Sequence, residues 1–235
     1  MNKITLNGVE STSVTGLLIQ SLPPISKPKI RTQTEEIDGR DGDLVTKLGY
    51  AAYDKKVKIG LHGSFDINAV ISFFDTEGEV IFSNEDSKFY RYAIYNAIDY
   101  DRLIRFREAE VDFHVQPFKY AVSEQTATTT AITTQQLLRI TNNGNAIGKP
   151  ILTFTGTGNV NLYMNDNLAC ALALGESSDT ITIDTEALNA MRDGVLANRS
   201  VTGDYSNLWL PVGENRLTWI GTLTEITYQY PSRWV

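Results

Sequence analysis

Glu36-Ile37-Asp38-Gly39-Arg40-Asp41-Gly42-Asp43 is the stretch of this chain that says most about its fold. Two glycines and three aspartates fall within its last six residues. Glycine adopts backbone conformations with positive φ at little cost, and aspartate side chains hydrogen-bond their own turns. Residues 29–37 before it alternate like a strand, and strand patterns continue over residues 44–61 after it. The stretch is therefore predicted to be the tip of a long β-hairpin.

Strand patterns dominate the rest of the first half, with one helix among them. Further strands are predicted over residues 14–21, 80–83, 88–97 and 104–115, and Pro117 is expected to end the last pairing. The helix is predicted from an apolar stripe at Ile67, Val70, Ile71 and Phe74. Asp66 is its expected N-cap, and Gly78 lies near its expected end.

The second half has the pattern of an all-β sandwich. A segment rich in Thr and Ala within about residues 120–136 is interpreted as a linker, so the predicted domains are 1–122 and 123–235. Beyond it, short alternating strands lie between turn signals. These signals are Asn142-Asn143-Gly144-Asn145, Gly156-Thr157-Gly158-Asn159, Asn165-Asp166-Asn167, Asp193-Gly194 and Gly213-Glu214-Asn215. Residues 186–198 are ambiguous, but Asp193-Gly194 at their centre favours a hairpin over a helix.

Composition narrows the function classes. Hydrophobic residues make up 42% of the 235 residues, which is enough for real cores. The net charge is −7 and no block of Lys or Arg occurs, which argues against sequence-independent nucleic-acid binding. The N-terminus lacks the apolar core of a signal peptide, and no apolar window is long enough to span a membrane. The single cysteine, Cys170, lies in an apolar run and is interpreted as a buried residue.

No catalytic residue, metal ligand or cofactor is predicted. His62 and His114 are far apart and do not match the ligand spacing of zinc sites. Glu35 and Glu36 are neighbours on a strand, so their carboxylates point to opposite faces and cannot converge on one bond. The aspartates of the hairpin tip do not follow the spacing of an EF-hand calcium loop.

Aromatic residues in the second half raise the possibility of carbohydrate binding. A role in a core or between domains is favoured for most of them, and Trp219 shares a strand face with Leu217. Tyr205 and Trp209, in a turn-rich region, are the candidate sugar contacts. The alternative function is thus a stand-alone adhesin that recognises glycans of a host cell wall.

Several short motifs occur together and in a fixed order. In the first half they are Leu6-Asn7-Gly8, Ile37 to Gly42, Ser83-Asn84-Glu85 and Gln116-Pro117-Phe118-Lys119. In the second half they are Pro150-Ile151-Leu152-Thr153, Gly156-Thr157-Gly158, Ile181-Thr182-Ile183-Asp184 and Leu210 to Asn215, with Trp219 following. In this pattern the chain resembles the distal tail (Dit) proteins of siphophages that infect Gram-positive bacteria.

The resemblance implies a mainly β chain. It would have an N-terminal β-sandwich-like domain with one helix and a long β-hairpin, and a C-terminal sandwich like galectins or carbohydrate-binding modules. The N-terminal domains would form a homohexameric ring at the tail tip of a virion, after synthesis in the host cytoplasm. One face would dock the tail-tube protein and the other the tail-associated (Tal) protein. Receptor-binding proteins would attach at the periphery, and the tape-measure protein and DNA would pass through the lumen.

The hairpin tip is the predicted subunit contact of such a ring. Its residues are Ile37, Asp38, Gly39, Arg40, Asp41, Gly42 and Asp43. Arg31 or Arg40 is the candidate partner of a carboxylate on the neighbouring subunit. A third function, a tail-tip enzyme, lacks a recognisable catalytic arrangement.

Overall fold

A computed structural model describes residues 1–39, 41–124, 126–132 and 136–235. The chain divides into two compact units, each described by itself: Met1–Tyr120 with Val235 (unit 1), and Ala121–Trp234 (unit 2). Gln125 and residues 133–135, in the predicted linker, lie outside the described residues. No helix in the described ranges has the length and apolarity needed to cross a membrane.

Seven strands of unit 1 pair side by side in the order β2-β1-β7-β8-β9-β6-β3. Two further strands, β4 and β5, pair only with each other. The strands are β1 (Ile4–Leu6), β2 (Val9–Glu10), β3 (Leu17–Ser21), β4 (Ile30–Glu36), β5 (Asp43–Tyr50), β6 (Tyr53–Leu61), β7 (Gly78–Phe82), β8 (Lys88–Ala93) and β9 (Glu108–Ala121). The helices are α1 (Ile67–Phe74) and α2 (Tyr100–Phe106).

The core of unit 1 follows from period-two alternation on its long strands. From Lys55 to Ile59 on β6 and from Ala109 to Val115 on β9, every second residue is buried because successive side chains of a strand point to opposite faces. Phe113 of β9 lies near the centre of this core. Its ring meets those of Phe74, Phe82 and Tyr92 at centroid distances of 6.4, 5.7 and 5.3 Å.

The predicted helix is present, but its buried face is rotated. The Asp66 carboxylate accepts hydrogen bonds from the N–H groups of Asn68 and Ala69, which confirms the N-cap. Ile71 is 37% exposed, whereas Phe73, outside the predicted stripe, is only 8% exposed. The helix ends at Phe74 with Asp75 as its C-cap, and Gly78 opens β7 instead of stopping the helix.

The prediction of a single helix is wrong, because α2 occupies part of the predicted strand 104–115. The Asp99 side chain caps it by accepting from the Arg102 N–H, and Arg107 ends it in the left-handed conformation. Only Leu103 of this helix is buried, so the sequence has no apolar stripe to reveal it. Strand β9 also continues past Pro117 to Ala121, although its ladder with β6 ends at Val115.

Unit 2 is a β-sandwich organised by two long strands, β12 and β18, that pair along their lengths. The first half of β12 also pairs with β14, and its second half pairs with β13. Strand β18 pairs likewise with β10 at one end and β11 at the other. The strands are β10 (Thr128–Ala131), β11 (Leu137–Asn142), β12 (Ile151–Met164), β13 (Asn167–Ala173), β14 (Asp179–Asp184), β15 (Asn189–Arg192), β16 (Val195–Leu196), β17 (Val201–Gly203), β18 (Gly213–Gln229) and β19 (Arg233–Trp234).

The glycine-rich segment 156–159 is a bend inside β12, so predicting a turn between two strands there was wrong. The register of β12 with β18 shifts at Thr155/Gly156 and again between Thr157 and Asn161. Such irregularities let a strand leave one layer of a sandwich and enter the other. A local glycine cluster marks a turn and a bend alike, and only the pairing partners distinguish them.

Another turn prediction is confirmed. Strands β15 and β16 form a hairpin in which Met191 pairs with Leu196 and Arg192 with Val195. Asp193 and Gly194 at its tip have φ values of 50° and 75°. These positive values are those of a type I′ turn, for which Asp-Gly is a preferred pair.

Replacing Gly156 by alanine is expected to destabilise unit 2. A Cβ at this position would overlap the backbone oxygen of Thr222 and crowd Leu223 on β18. Overpacking of this kind costs about 1–3 kcal/mol. Gly175→Ala is the matched control, since its Cβ would meet only Asp179 and the Ser177 oxygen at 3.6 Å, an ordinary contact. Urea unfolding of both variants tests this, and equal midpoints would contradict it.

Candidate assembly interface

Strands β4 and β5 form a two-stranded antiparallel ribbon, as the sequence predicts. The pairing runs from Ile30 opposite Tyr50 to Glu36 opposite Asp43. Every residue of the two strands is exposed except Ile30 and Tyr50, at the base, which are half-buried. The ribbon therefore has no core of its own and no contact with the sheet of unit 1 along most of its length.

The tip owes its shape to backbone conformation. Gly39 and Gly42 have φ values of 81° and 76°, in the left-handed region that favours glycine. A Cβ added at either position would meet nothing within 4 Å, so the glycines are needed for φ and not for space. Asp38 and Asp41 are exposed, as are the strand residues next to the tip. Arg40, part of the predicted contact, lies outside the described residues.

The ribbon exposes apolar side chains on both faces. Val45 lies opposite Thr34, and Leu44 lies opposite Glu35, so the two apolar residues point to different faces. Ile37, Leu44, Val45 and Leu48 are 42%, 41%, 54% and 52% exposed. Ile37 belongs to the contact predicted from the sequence, whereas Leu44, Val45 and Leu48 were not among the predicted residues, because the apolar residues of β5 do not alternate. That lack of alternation is itself a signal for a strand buried on both sides.

A free-standing ribbon of this kind has little stability of its own. Isolated two-stranded hairpins are marginally stable in water, and both edges of the ribbon present unpaired N–H and C=O groups. Residues 35–43 also hold five carboxylates, at Glu35, Glu36, Asp38, Asp41 and Asp43. The ribbon can therefore bury apolar surface on two sides while its acidic tip meets cationic groups.

The architecture is shared with a phage protein of known structure. The crystal structure of the SPP1 Dit protein, described as a paradigm of the hub adsorption apparatus in phages infecting Gram-positive bacteria, aligns with a TM-score of 0.71. The alignment covers 100% of both chains at 15% sequence identity. This chain has the Dit fold.

A second similar structure is the phage p2 baseplate in its activated conformation with Sr, of which one chain aligns with a TM-score of 0.50. That alignment covers 97% of each chain at 10% identity. No family model and no curated protein sequence matches the chain. The similarity is thus one of fold, and the mainly β architecture predicted from the motifs is confirmed.

The candidate sugar contacts in unit 2 of this Dit fold are engaged in internal interactions. The indole N–H of Trp209 donates to the carbonyl oxygen of Thr185 at 2.9 Å. The Lys149 ammonium lies 4.9 Å from the centroid of the same ring. The Tyr205 hydroxyl donates to the Asn198 side-chain oxygen at 3.2 Å, and burial raises its pKa. Trp219 is only 2% exposed and belongs to the core, as predicted.

The cysteine and the two histidines, which were considered as reactive or metal-binding residues, form no metal site in the part of the chain that the structure describes. Cys170 is buried, and burial raises the pKa of its thiol to about 12. The His114 ring lies 2.8 Å from Asp54, and His62 is exposed. Among the described residues, no group of three or more His, Cys, Asp or Glu is arranged to hold a metal ion.

Two of the sequence motifs meet at a largely buried ion pair in unit 1. Glu85, of Ser83-Asn84-Glu85, accepts from the Lys119 ammonium at 2.5 Å, and Lys119 ends Gln116-Pro117-Phe118-Lys119. Its other oxygen accepts from the Tyr90 hydroxyl at 2.6 Å. Burial alone would raise the pKa of the Glu85 carboxyl. The hydrogen bonds from Lys119 and Tyr90, with the charges of Lys119 and Lys88, together hold that pKa below its ordinary value.

We expect unit 1 to lose stability in acid through Glu85. Because its folded pKa is depressed, the pair stabilises the fold above the unfolded pKa of about 4.3 and stops doing so as the pH falls through the folded pKa. Glu85→Gln should lower the free energy of unfolding by about 1.5–3 kcal/mol at pH 7. In this variant the free energy of unfolding should also fall less steeply below pH ~4 than in the parent. Urea unfolding of unit 1 from pH 7 to pH 3 measures both effects. Glu77→Gln, at an exposed position, is the control. If Glu85→Gln lost as much stability as the parent on acidification, Glu85 would not be the source of the acid sensitivity.

Proposed function

We propose that this protein is the structural hub of a siphophage tail tip, in which six copies form a closed ring. The ring joins the end of the tail tube to the tail-associated (Tal) protein. Receptor-binding proteins attach at its periphery, and the tape-measure protein and DNA pass through it. The protein is made in the host cytoplasm and functions in the virion.

The exposed ribbon is the observation that carries this proposal. A monomer gains nothing from a long hairpin that is solvated on both faces and carries apolar residues on each. A head-to-tail interface that closes after a fixed number of copies would cover both faces and the unpaired edges of every ribbon. We assign the contact to Ile37 through Asp43, including Arg40, together with the exposed apolar side chains of β5. Arg31, whose guanidinium lies 3.5 Å from the Leu48 carbonyl, remains available to a partner carboxylate.

The two predicted domains receive different roles in this proposal. Residues 1–122 carry the ribbon and form the ring. Residues 123–235 form the sandwich, which extends outside the ring as the attachment module. The similarity to the SPP1 protein and to a p2 baseplate chain supports both roles through the fold.

The hub is proposed to act without catalysis. Glu35 and Glu36 lie on opposite faces of β4, and the Asp54–His114 pair lies on the solvent face of the sheet.

The adhesin alternative is less favoured by the geometry of unit 2. Trp209 has its N–H bonded within the unit and a lysine over its ring, so a sugar would have to displace an existing contact.

The mass of the protein in solution tests the proposal. Multi-angle light scattering over a wide concentration range should give six times the monomer mass of 26.2 kDa, alone or after addition of purified tail-tube protein. A monomer under both conditions would overturn the ring. A glycan array run in parallel tests the adhesin, for which binding by the monomer would be the positive result.

A further inference from the structure

Lys55 lies on the buried face of β6, where the alternation of the strand predicts an apolar residue. It lies on β6 two residues before Val57, on the face that also buries Ile59 and Leu61. It is only 3% exposed. A buried ammonium is costly unless it is paired or bonded, so a lysine at a core position needs a structural reason.

The surroundings of Lys55 offset part of the cost of burying its charge, although burial still holds the pKa of the ammonium below its ordinary value. The ammonium lies 4.9, 5.5 and 5.8 Å from the ring centroids of Tyr90, Tyr53 and Phe82, an arrangement that favours positive charge through the ring quadrupoles. Its hydrogen bond goes to the carbonyl oxygen of Pro24 at 3.0 Å. The bonded group thus lies outside the sheet, in the segment that leads to the ribbon.

Three side chains hold that segment, residues 22–29, through its carbonyl groups. The Asn84 amide donates to the Pro23 oxygen at 2.9 Å, and Lys55 donates to the next oxygen, that of Pro24. The Tyr53 hydroxyl lies 3.5 Å from the Ser26 oxygen. Residues 22–29 belong to no strand, and their three prolines lack N–H groups. Side-chain donors therefore replace the ladder that would otherwise fix the direction of this segment.

The second strand of the ribbon, β5, is also held at the base of the ribbon. The Ala51 N–H donates to the Lys29 oxygen at 2.8 Å, which closes the base of the hairpin. The Tyr50 ring meets that of Phe118 edge-on at 5.8 Å. Asn84 and Phe118 come from the two motifs that meet at the Glu85–Lys119 pair. At the base of the ribbon, both of its strands are thus held by one polar and aromatic cluster, called here the ribbon anchor: Tyr53, Lys55, Asn84, Glu85, Tyr90, Phe118 and Lys119.

We propose that the ribbon anchor is a positioning site, in which the buried Lys55 ammonium fixes the direction of the ribbon so that it meets the neighbouring copy of this chain. The proposal rests on the proposed function for the identity of the partner. The anchor itself is a property of the monomer. A ribbon of this length magnifies a small rotation at its base into a large displacement at its tip, so a rigid base shortens the search for the next subunit.

Lys55→Met tests the anchor, with Lys56→Met as its matched control. Methionine keeps most of the side-chain volume but removes the charge and the donor. Lys56 is the next residue on the same strand, points to solvent with 64% side-chain exposure, and lies 3.7 and 3.5 Å from Glu110 and Asp112. In the monomer, amide hydrogen exchange at Ala51, whose N–H donates to the Lys29 oxygen at the base of the ribbon, should accelerate by at least about tenfold in Lys55→Met and remain unchanged in Lys56→Met. Equal exchange in the two variants would overturn the anchor.

The direction of the ribbon is measured by electron-spin distances. Spin labels on Asp41→Cys and Ser64→Cys, both exposed, report the tip against the body of unit 1, since Cys170 is buried and does not compete for label. Lys55→Met should broaden the distance distribution, whereas Lys56→Met should leave it as narrow as in the parent. An unchanged width in Lys55→Met would contradict the positioning role.

Assembly gives a third readout that separates the two proposals. If the parent protein forms rings, Lys55→Met should need about tenfold higher concentration to do so. Rings of unchanged affinity would contradict the positioning role even if exchange accelerates. If the parent never forms rings, the hub proposal fails while the exchange result still decides the anchor. Should Lys55→Met not fold, Asn84→Ala decides the same question, because Asn84 is exposed and lies outside the apolar core.

Discussion

Deleting Gly39 to Gly42 is expected to abolish the hexameric ring and to leave each monomer folded. The deletion removes both glycines that give the tip its left-handed turns, together with one tip carboxylate, Asp41. Because the ribbon contributes nothing to the core of unit 1, the free energy of unfolding should change by no more than about 0.5 kcal/mol. At concentrations where the parent protein forms a ring, light scattering of the variant should show only a monomer, slightly lighter than the 26.2 kDa of the full chain.

The control for this deletion is an equally exposed turn elsewhere. Removing Glu176 and Ser177, between β13 and β14 in unit 2, shortens the chain without touching the ribbon. This variant should form rings like the parent. A ring that survives the loss of residues 39–42 would refute the assignment of the contact, whereas loss of rings in both variants would show a nonspecific effect of shortening loops.

Trp219→Ala is expected to have the largest effect on stability in unit 2. The side chain is 2% exposed and lies on β18 opposite Leu162 of β12, within the core. Truncating a buried tryptophan costs about 3–5 kcal/mol through lost burial and the cavity left behind. Since domains have only about 5–15 kcal/mol of stability, this could leave unit 2 marginally folded at 37 °C. Calorimetry should show one of two transitions moved to lower temperature.

Ile220→Ala is the matched control for Trp219→Ala. It is the next residue on the same strand, but its side chain is 61% exposed, so its loss should change stability by less than about 0.5 kcal/mol. If unit 1 alone forms the ring, Trp219→Ala should still assemble at temperatures where unit 2 is folded. Similar calorimetric shifts in the two variants would show that the core has been assigned wrongly.

The sequence predicts best where a feature depends on neighbouring residues. The Asp66 cap and the Asp193-Gly194 turn each depend on backbone conformations that a few residues impose by themselves. The hairpin tip at residues 38–43 is of the same kind. Errors appear where the outcome depends on a distant partner. Gly156 could have ended a strand or bent it, and α2 has too small a buried face to leave a periodic signal.

What the sequence determined by itself is the mainly β architecture, the long hairpin and the position of the buried tryptophan, because alternation and turn chemistry are local properties. Only the tertiary structure decided that the ribbon stands free of the sheet with apolar residues on both faces. It also decided that Lys55 is buried. From the sequence alone, a charged residue in a strand is predicted to lie on the surface. A buried lysine is tolerated only where aromatic rings and a carbonyl oxygen, from residues far apart in the chain, converge on it in the folded state.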